Sequence, residues 1–497
     1  MQTTLDKAVL LSNRSYRDRV MACWLGKAVG GTLGIPFEGQ DGPLDLTFYN
    51  PVPQEMLPND DLDLQVVWAC VLDKLSPVRV DRHILGQAWL DHVRFPCDEY
   101  GVAIRNLTLG LKAPLTGSYD NYFINGMGSP IRSEIWACLA PGNPGLAVAY
   151  AQEDACVDHA EDGVWAEMFL AGLESAAFTE SAPDTLLDSA LAYLPEESIT
   201  RRAVEDTRRW YRQTGDWRAV RESILAAYGS DNFTYAPMNI AFVVLGWLAG
   251  EGDFSRTICI AVNCGKDTDC TGATAGALMG ILNPHGIPDR WLEPIGRSLV
   301  LSPGIVGLTP PSTLDGFTDL VLDLNRRLTG AYPAPRVYEQ SADAFRIPVR
   351  RLFVDEFPET GSAPRIEDGE AIFLPGCLTR LGNGEFAKDT MLLRYEFKLD
   401  AAGSTCVLFN TPQKCRVWID GAAAFASESS PMVPSFHRCP ENQMAIVDLA
   451  AGTHEMVVAI EKPNGGSDAE WVAGIGDGRT RLWHPHAFDL VGKFADA

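Results

Sequence analysis

Gly265-Lys266-Asp267-Thr268-Asp269-Cys270-Thr271-Gly272-Ala273-Thr274-Ala275-Gly276-Ala277-Leu278-Met279-Gly280 is the stretch on which the fold turns. It opens as an acidic turn and continues as a helix of glycine, alanine and threonine. Each interior glycine costs about 1 kcal/mol relative to alanine, so something must offset that cost. Small residues let neighbouring helices approach closely, and burial at the centre of a helical domain supplies the offset. Such burial carries Asp267 and Asp269 inward, where carboxylates demand a paired charge or a metal.

A second acidic cluster, Asn59-Asp60-Asp61-Leu62-Asp63, stands more than two hundred residues earlier and opens another helical run through Leu64, Val66, Val67, Trp68 and Cys70. Asn59 or Asp60 serves as N-cap there, but one cap does not require three aspartates. Asp60 and Asp61 repel one another unless a cation compensates, and Asp63 follows three residues on, near the same face. Asp60, Asp61, Asp267 and Asp269 thus read as a split site for hard divalent cations, which prefer oxygen ligands. In a two-metal site, carboxylates from separate elements hold ions roughly 3.5–4 Å apart. Neither cluster has the glycine and glutamate spacing of an EF-hand, and no P-loop is present.

Outward from these clusters, apolar residues recur at three and four from Asp18 to about Arg327, which predicts helices over 82–93, 144–155, 200–213 and 218–228. Residues 1–330 are read as an all-α domain. Gly330-Ala331-Tyr332-Pro333-Ala334-Pro335 breaks the pattern and starts a linker over 331–345. From 346 to 497 the period changes to that of strands, at 392–399, 405–409, 415–419 and 456–460, with turns such as Asp420-Gly421. An accessory β-sandwich is the expected packing. Trp418, Trp471 and Trp483 offer saccharide contacts if they face solvent, although tryptophan in strands is more often core.

The 41 basic against 65 acidic residues give a formal net charge of -24, which opposes attraction to nucleic acid or anionic lipid. The apolar run 8–11 is too short for a signal peptide, and 240–249 is too short to span a bilayer, so no membrane association and a cytoplasmic location are expected. The twelve cysteines lack a metal-binding framework and fit thiols in a reducing compartment.

Near the N-terminus, Gly26-Lys27-Ala28-Val29-Gly30-Gly31-Thr32-Leu33-Gly34-Ile35-Pro36-Phe37-Glu38-Gly39 is a glycine-rich helix end followed by an acid. It resembles GLAVGDALGAPFEG. Residues 59–62 resemble TDDT and residues 265–270 resemble GGDTDT, in the same order. On these three motifs the chain resembles the ADP-ribosylglycohydrolase family over roughly residues 17–327.

The resemblance implies an all-helical fold holding two Mg²⁺ ions, with Mn²⁺ or Ca²⁺ as alternatives. Asn59, Asp60, Asp61, Asp267 and Asp269 match its metal ligands. Glu38, Asp61 and Asp269 are implied as catalytic residues, with Glu38 the base that positions water. Gly126-Met127-Gly128-Ser129-Pro130-Ile131-Arg132 resembles the substrate loop GNGGAMR, so Gly128, Ser129 and Arg132, with Asp158 and His159, are expected to line the substrate pocket. The implied activity is metal-dependent hydrolysis of a ribosyl-type N- or O-glycosidic bond, in a small glycoside or an ADP-ribosylated substrate. Alternatives are a furanoside or nucleoside hydrolase, a phosphoester hydrolase, and a non-catalytic protein binding ADP-ribose, a nucleotide or a sugar. Four departures mark a divergent branch: Asn59 and Leu62 replace threonines, Gly31 replaces an aspartate, and Cys270 replaces a threonine. Because Mg²⁺ prefers oxygen to sulfur, Cys270 is expected to stand aside, with Thr271 or water completing the shell.

Overall fold

Two helices in backbone contact form the axis of the helical unit. In the computed structural model, which describes residues 13–328, 330–338, 340–341, 345–359 and 361–491, α1 (Asn13–Gly34) lies antiparallel to the small-residue helix Thr268–Leu282. Gly26, Gly30 and Gly34 of the one meet Gly276, Gly272 and Thr268 of the other. A Cβ at Gly30 would lie 1.9 Å from the Gly272 carbonyl oxygen, and one at Gly26 would lie 2.0 Å from that of Gly276. Only glycine permits this approach. The register lays the end of α1, and the turn that leads to Glu38, against the start of the acidic helix.

Contacts divide the chain into two compact units, one of Met1–Val93 with Ile124–Arg336 and one of Arg94–Phe123 with Val337–Ala497. In the first, the helices predicted from periodicity appear as Arg82–His92, Pro144–Ala155, Ile199–Thr214 and Trp217–Tyr228. The apolar run at 240–249 lies in the helix Ala236–Gly250, buried along nearly its whole length. Among the described residues one helix, Arg14–Phe37, is long and apolar enough to cross a membrane by length and composition, and 83% of its apolar window is buried inside the fold.

Among the described residues the second unit holds ten strands: β1 (Ile347–Val354), β2 (Glu370–Leu374), β3 (Leu378–Leu381), β4 (Thr390–Leu399), β5 (Gly403–Asn410), β6 (Cys415–Ile419), β7 (Ala422–Ser427), β8 (Met444–Leu449), β9 (Gly452–Glu461) and β10 (Ala469–Asp477). They form a six-stranded sheet in the order β2-β1-β4-β9-β6-β7 and a four-stranded sheet in the order β3-β10-β5-β8, antiparallel throughout. Alternate residues of β4, Leu393, Tyr395 and Phe397, share one apolar core with Leu408 of β5 and Trp471 and Ile475 of β10, as the period-two pattern requires. Trp418 and Trp471 are fully buried and Trp483 is nearly so. The indole N–H of Trp471 donates to the Tyr395 hydroxyl and that of Trp418 to the Gly361 carbonyl, so these tryptophans belong to the packing and present no face to a saccharide.

Residues 94–123 have helical periodicity, which assigns them to the helical domain from sequence. The structure groups them with the sheets, and buried charge explains why. Arg105 pairs with Asp120 at 3.0 Å, and Asp120 accepts the backbone N–H groups of Cys377 and Leu378 at 2.8 and 2.6 Å. Arg438 forks onto Asp98 at the start of the helix Asp98–Thr108.

Candidate metal centre

Asn59 joins the two acidic clusters. Its Oδ1 caps α2 (Asp60–Asp73) by accepting the Asp61 N–H at 3.0 Å, while its Nδ2 donates to Asp269 Oδ2 at 3.3 Å. Carboxylates far apart in sequence thereby meet: one oxygen each of Glu38, Asp267 and Asp269 lies within 4.8 Å of the others, and so do ligand atoms of Asp61, Asp269 and Cys270. Asp269 is common to both groups. Asp61, Asp267 and Asp269 are all buried, whereas Asp60 is half-buried and Glu38 exposed.

Their charge is incompletely compensated. Asp61 Oδ2, Asp267 Oδ2 and Asp269 Oδ1 are buried and accept no hydrogen bond. Burial first, and then the neighbouring Glu38 and Asp60, pushes Asp269 up to about 7. Burial and the charges of Asp269 and Glu38 push Asp267 up as well. Asp61 also rises to about 7, because burial outweighs the opposing pull of Lys27.

Lys27, unflagged by sequence reading, is the buried counter-charge. Its ammonium donates to Glu134 Oε1 at 2.8 Å and to Asp61 Oδ1 at 3.3 Å, and Gln65 Nε2 donates to the other Glu134 oxygen at 2.8 Å. Burial opposes a charge on Lys27, but Glu134 and Asp61 more than offset it and hold the ammonium protonated. A signal was present in the sequence: Lys27 is the one charged residue in the run 20–34, every residue of which is buried. Glu134 and Gln65 carried no comparable mark.

The remaining expected residues occupy three settings. Asp63 leaves both ligand groups and accepts the Ser302 N–H at 3.1 Å, with burial raising it to about 7. Cys270 Sγ lies within 4.8 Å of Asp61 and Asp269 ligand atoms, and burial and the adjacent aspartates raise its pKa and keep it a neutral thiol. Thr271 instead turns back into its own helix and donates to the Thr268 carbonyl at 3.2 Å.

Gly128, Ser129, Arg132, Asp158 and His159, expected to line a substrate pocket, are all buried. Arg132 forks onto Asp158 at 2.6 and 2.9 Å and also donates to Asp154 and to the Gly128 carbonyl. Ser129 donates to the Gly163 carbonyl, and His159 Nδ1 lies 3.1 Å from Asp158. Burial opposes charge on Asp158, but Arg132 and His159 hold its carboxyl down at about 2.

Three carboxylates with orphaned oxygens make an oxygen-rich, negative donor set that fits a hard divalent cation. The helical unit thus carries a buried carboxylate cluster of the kind that could hold a metal ion. The ADP-ribosylglycohydrolase family model matches residues 12–330, and the chain belongs to that family. No curated protein matches the chain. Among solved structures, one titled "ADP-ribosylglycohydrolase-related protein complex" is 22% identical with a TM-score of 0.45, over 63% of this chain and 99% of that one.

Proposed function

We propose that the helical unit is a metal-dependent hydrolase of ribosyl-type N- or O-glycosidic bonds. The observation that carries this reading is the pair of orphaned, buried oxygens, Asp267 Oδ2 and Asp269 Oδ1, beside Glu38 in a chain of a glycohydrolase family. Glu38, Asp267 and Asp269, with Asp60 and Asp61 adjoining, would hold Mg²⁺, with Mn²⁺ or Ca²⁺ as substitutes. When bound, such an ion supplies Lewis acidity to the ribose diol and to a water. Glu38, exposed at the edge of the cluster, would orient a water and accept its proton as the water oxygen bonds to the anomeric carbon and the glycosidic bond breaks, the departing group taking a proton from solvent. The buried carboxylates stabilise the oxocarbenium-like charge of the transition state. Arg132, paired with Asp154 and Asp158 and donating to the Gly128 carbonyl, braces the 126–132 loop. A saccharide contact by the sandwich would find an open groove bordered by Phe373, Arg350, Arg394 and Lys398.

A second reading, non-catalytic ADP-ribose or sugar binding, draws on Cys270 and Asn59 standing in the cluster where the family motifs have threonines. Incubation with ADP-ribosyl-arginine, ADP-ribosyl-serine, nucleosides and furanosides, with and without Mg²⁺, separates the two. Release of free ribosyl product that depends on Mg²⁺, and falls by about 10³-fold or more in a folded Asp269→Asn variant, is expected. Binding without release leaves the non-catalytic reading, and release of phosphate instead of sugar assigns phosphoester hydrolysis.

A further inference from the structure

We infer that Lys27 is a built-in cation that takes the place of one of two metal ions, so that the cluster holds a single divalent ion on its Glu38–Asp267–Asp269 side. The inference rests on the metal-dependent reading above and concerns how that site is charged. Asp269 is shared by two ligand groups that differ in what they offer. The group with Glu38 and Asp267 is made of carboxylates alone, two of which carry an orphaned oxygen. Besides the shared Asp269, the group with Asp61 and Cys270 offers a thiol and a carboxylate whose Oδ1 is already paired with the Lys27 ammonium. A soft sulfur, one remaining Asp61 oxygen and a carboxylate already committed to the first group make a poor shell for a second hard cation.

The ammonium is also held in place: the Lys27 side chain is 1% exposed and fixed between Asp61 and Glu134. The sequence changes balance as well. Beside GLAVGDALGAPFEG, position 27 exchanges leucine for lysine and position 31, one helical turn on, exchanges aspartate for glycine. One positive charge is gained and one negative charge lost on the same wall, together equal to the charge of one divalent ion. An aspartate at 31 would also crowd Asn59, since a Cβ there lies 3.0 Å from the Asn59 amide nitrogen.

The test counts ions and needs no turnover. Mn²⁺ titration of the full chain, followed by calorimetry and by the loss of free Mn²⁺ signal in electron paramagnetic resonance, is expected to show about one ion per chain, and about two in Lys27→Met. If Lys27→Met fails to fold because Asp61 and Glu134 are left without a counter-charge, the double variant Lys27→Met/Glu134→Gln removes both members of the pair and is expected to bind two. Lys27→Arg keeps the charge and is expected to bind one. Two ions on the unaltered chain, or one on the folded lysine-free variants, overturns the inference while leaving the hydrolase reading intact. No ion at all overturns both. One ion without hydrolysis of any glycoside sinks the hydrolase reading and leaves the role of Lys27 standing.

Discussion

Asp120 in the sheet unit and Asp269 in the helical unit both have almost fully buried carboxylates, yet their surroundings are opposite. Asp120 receives a guanidinium at 3.0 Å and two backbone N–H groups. Asp269 receives the neutral Asn59 amide at 3.3 Å on one oxygen, has Asp267, Asp61 and Glu38 for neighbours, and leaves its Oδ1 without a hydrogen bond. Charge that the fold saturates fastens one segment to another. Charge that the fold leaves short of partners is kept where a ligand completes it.

Breaking the saturated side has the largest expected effect on stability. Asp120→Ala leaves Arg105 buried and unpaired and strips the Cys377 and Leu378 N–H groups of their acceptor, so it should destabilise the sheet unit by about 3–5 kcal/mol. Denaturant unfolding followed by tryptophan fluorescence measures this, and a loss below about 1 kcal/mol would erase the contrast.

The unsaturated side is probed by pH. Asp61 and Asp269 are raised from 3.8 to about 7 in the folded chain, so between those values the folded state binds more protons than the unfolded one. Stability of the metal-free protein therefore falls as pH rises from about 4 to 7 and stays low above it. The melting temperature of the helical unit should drop across that interval, and saturating Mg²⁺ should flatten the slope. Asp98 behaves oppositely: burial raises its pKa, but Arg438 more than offsets this and leaves it below the usual value. Its contribution is present above about pH 4 and lost as pH falls through that lowered pKa.

The smallest effect belongs to Asn59, the neutral link between the two acidic turns. Asn59→Ala removes the cap on α2 and the amide from Asp269, and should cost about 1 kcal/mol, with Asn59→Ser recovering most of it. A shift in the urea midpoint reads both variants. Equal losses would show that the cap matters less than the amide on Asp269.

Much of the architecture was legible because it is written in local patterns. Pro144 and the periodicity that follows it fix a helix whose ends agree with prediction, and the alternation in Leu392–Leu399 fixes the inner face of β4. β2 and β8 escaped because Glu370-Ala371-Ile372-Phe373-Leu374 and Met444-Ala445-Ile446-Val447-Asp448-Leu449 are edge strands with mostly exposed or half-buried residues, which blurs the period-two signal. Of the site, the acidic turns were visible as turns. The burial of Arg132 was not, since Asp154 and Asp158 reach it from a neighbouring segment.

The sequence alone determined a helical domain followed by strands, two acidic helix starts and a glycine-rich helix, because capping, periodicity and residue size act over a few residues. Only the tertiary structure decided which carboxylates remain unsatisfied, that Cys270 faces the cluster while Thr271 turns away, and that Lys27 meets Asp61 and Glu134. Those outcomes depend on the glycine register between α1 and Thr268–Leu282, and through it on contacts between residues that no local pattern connects.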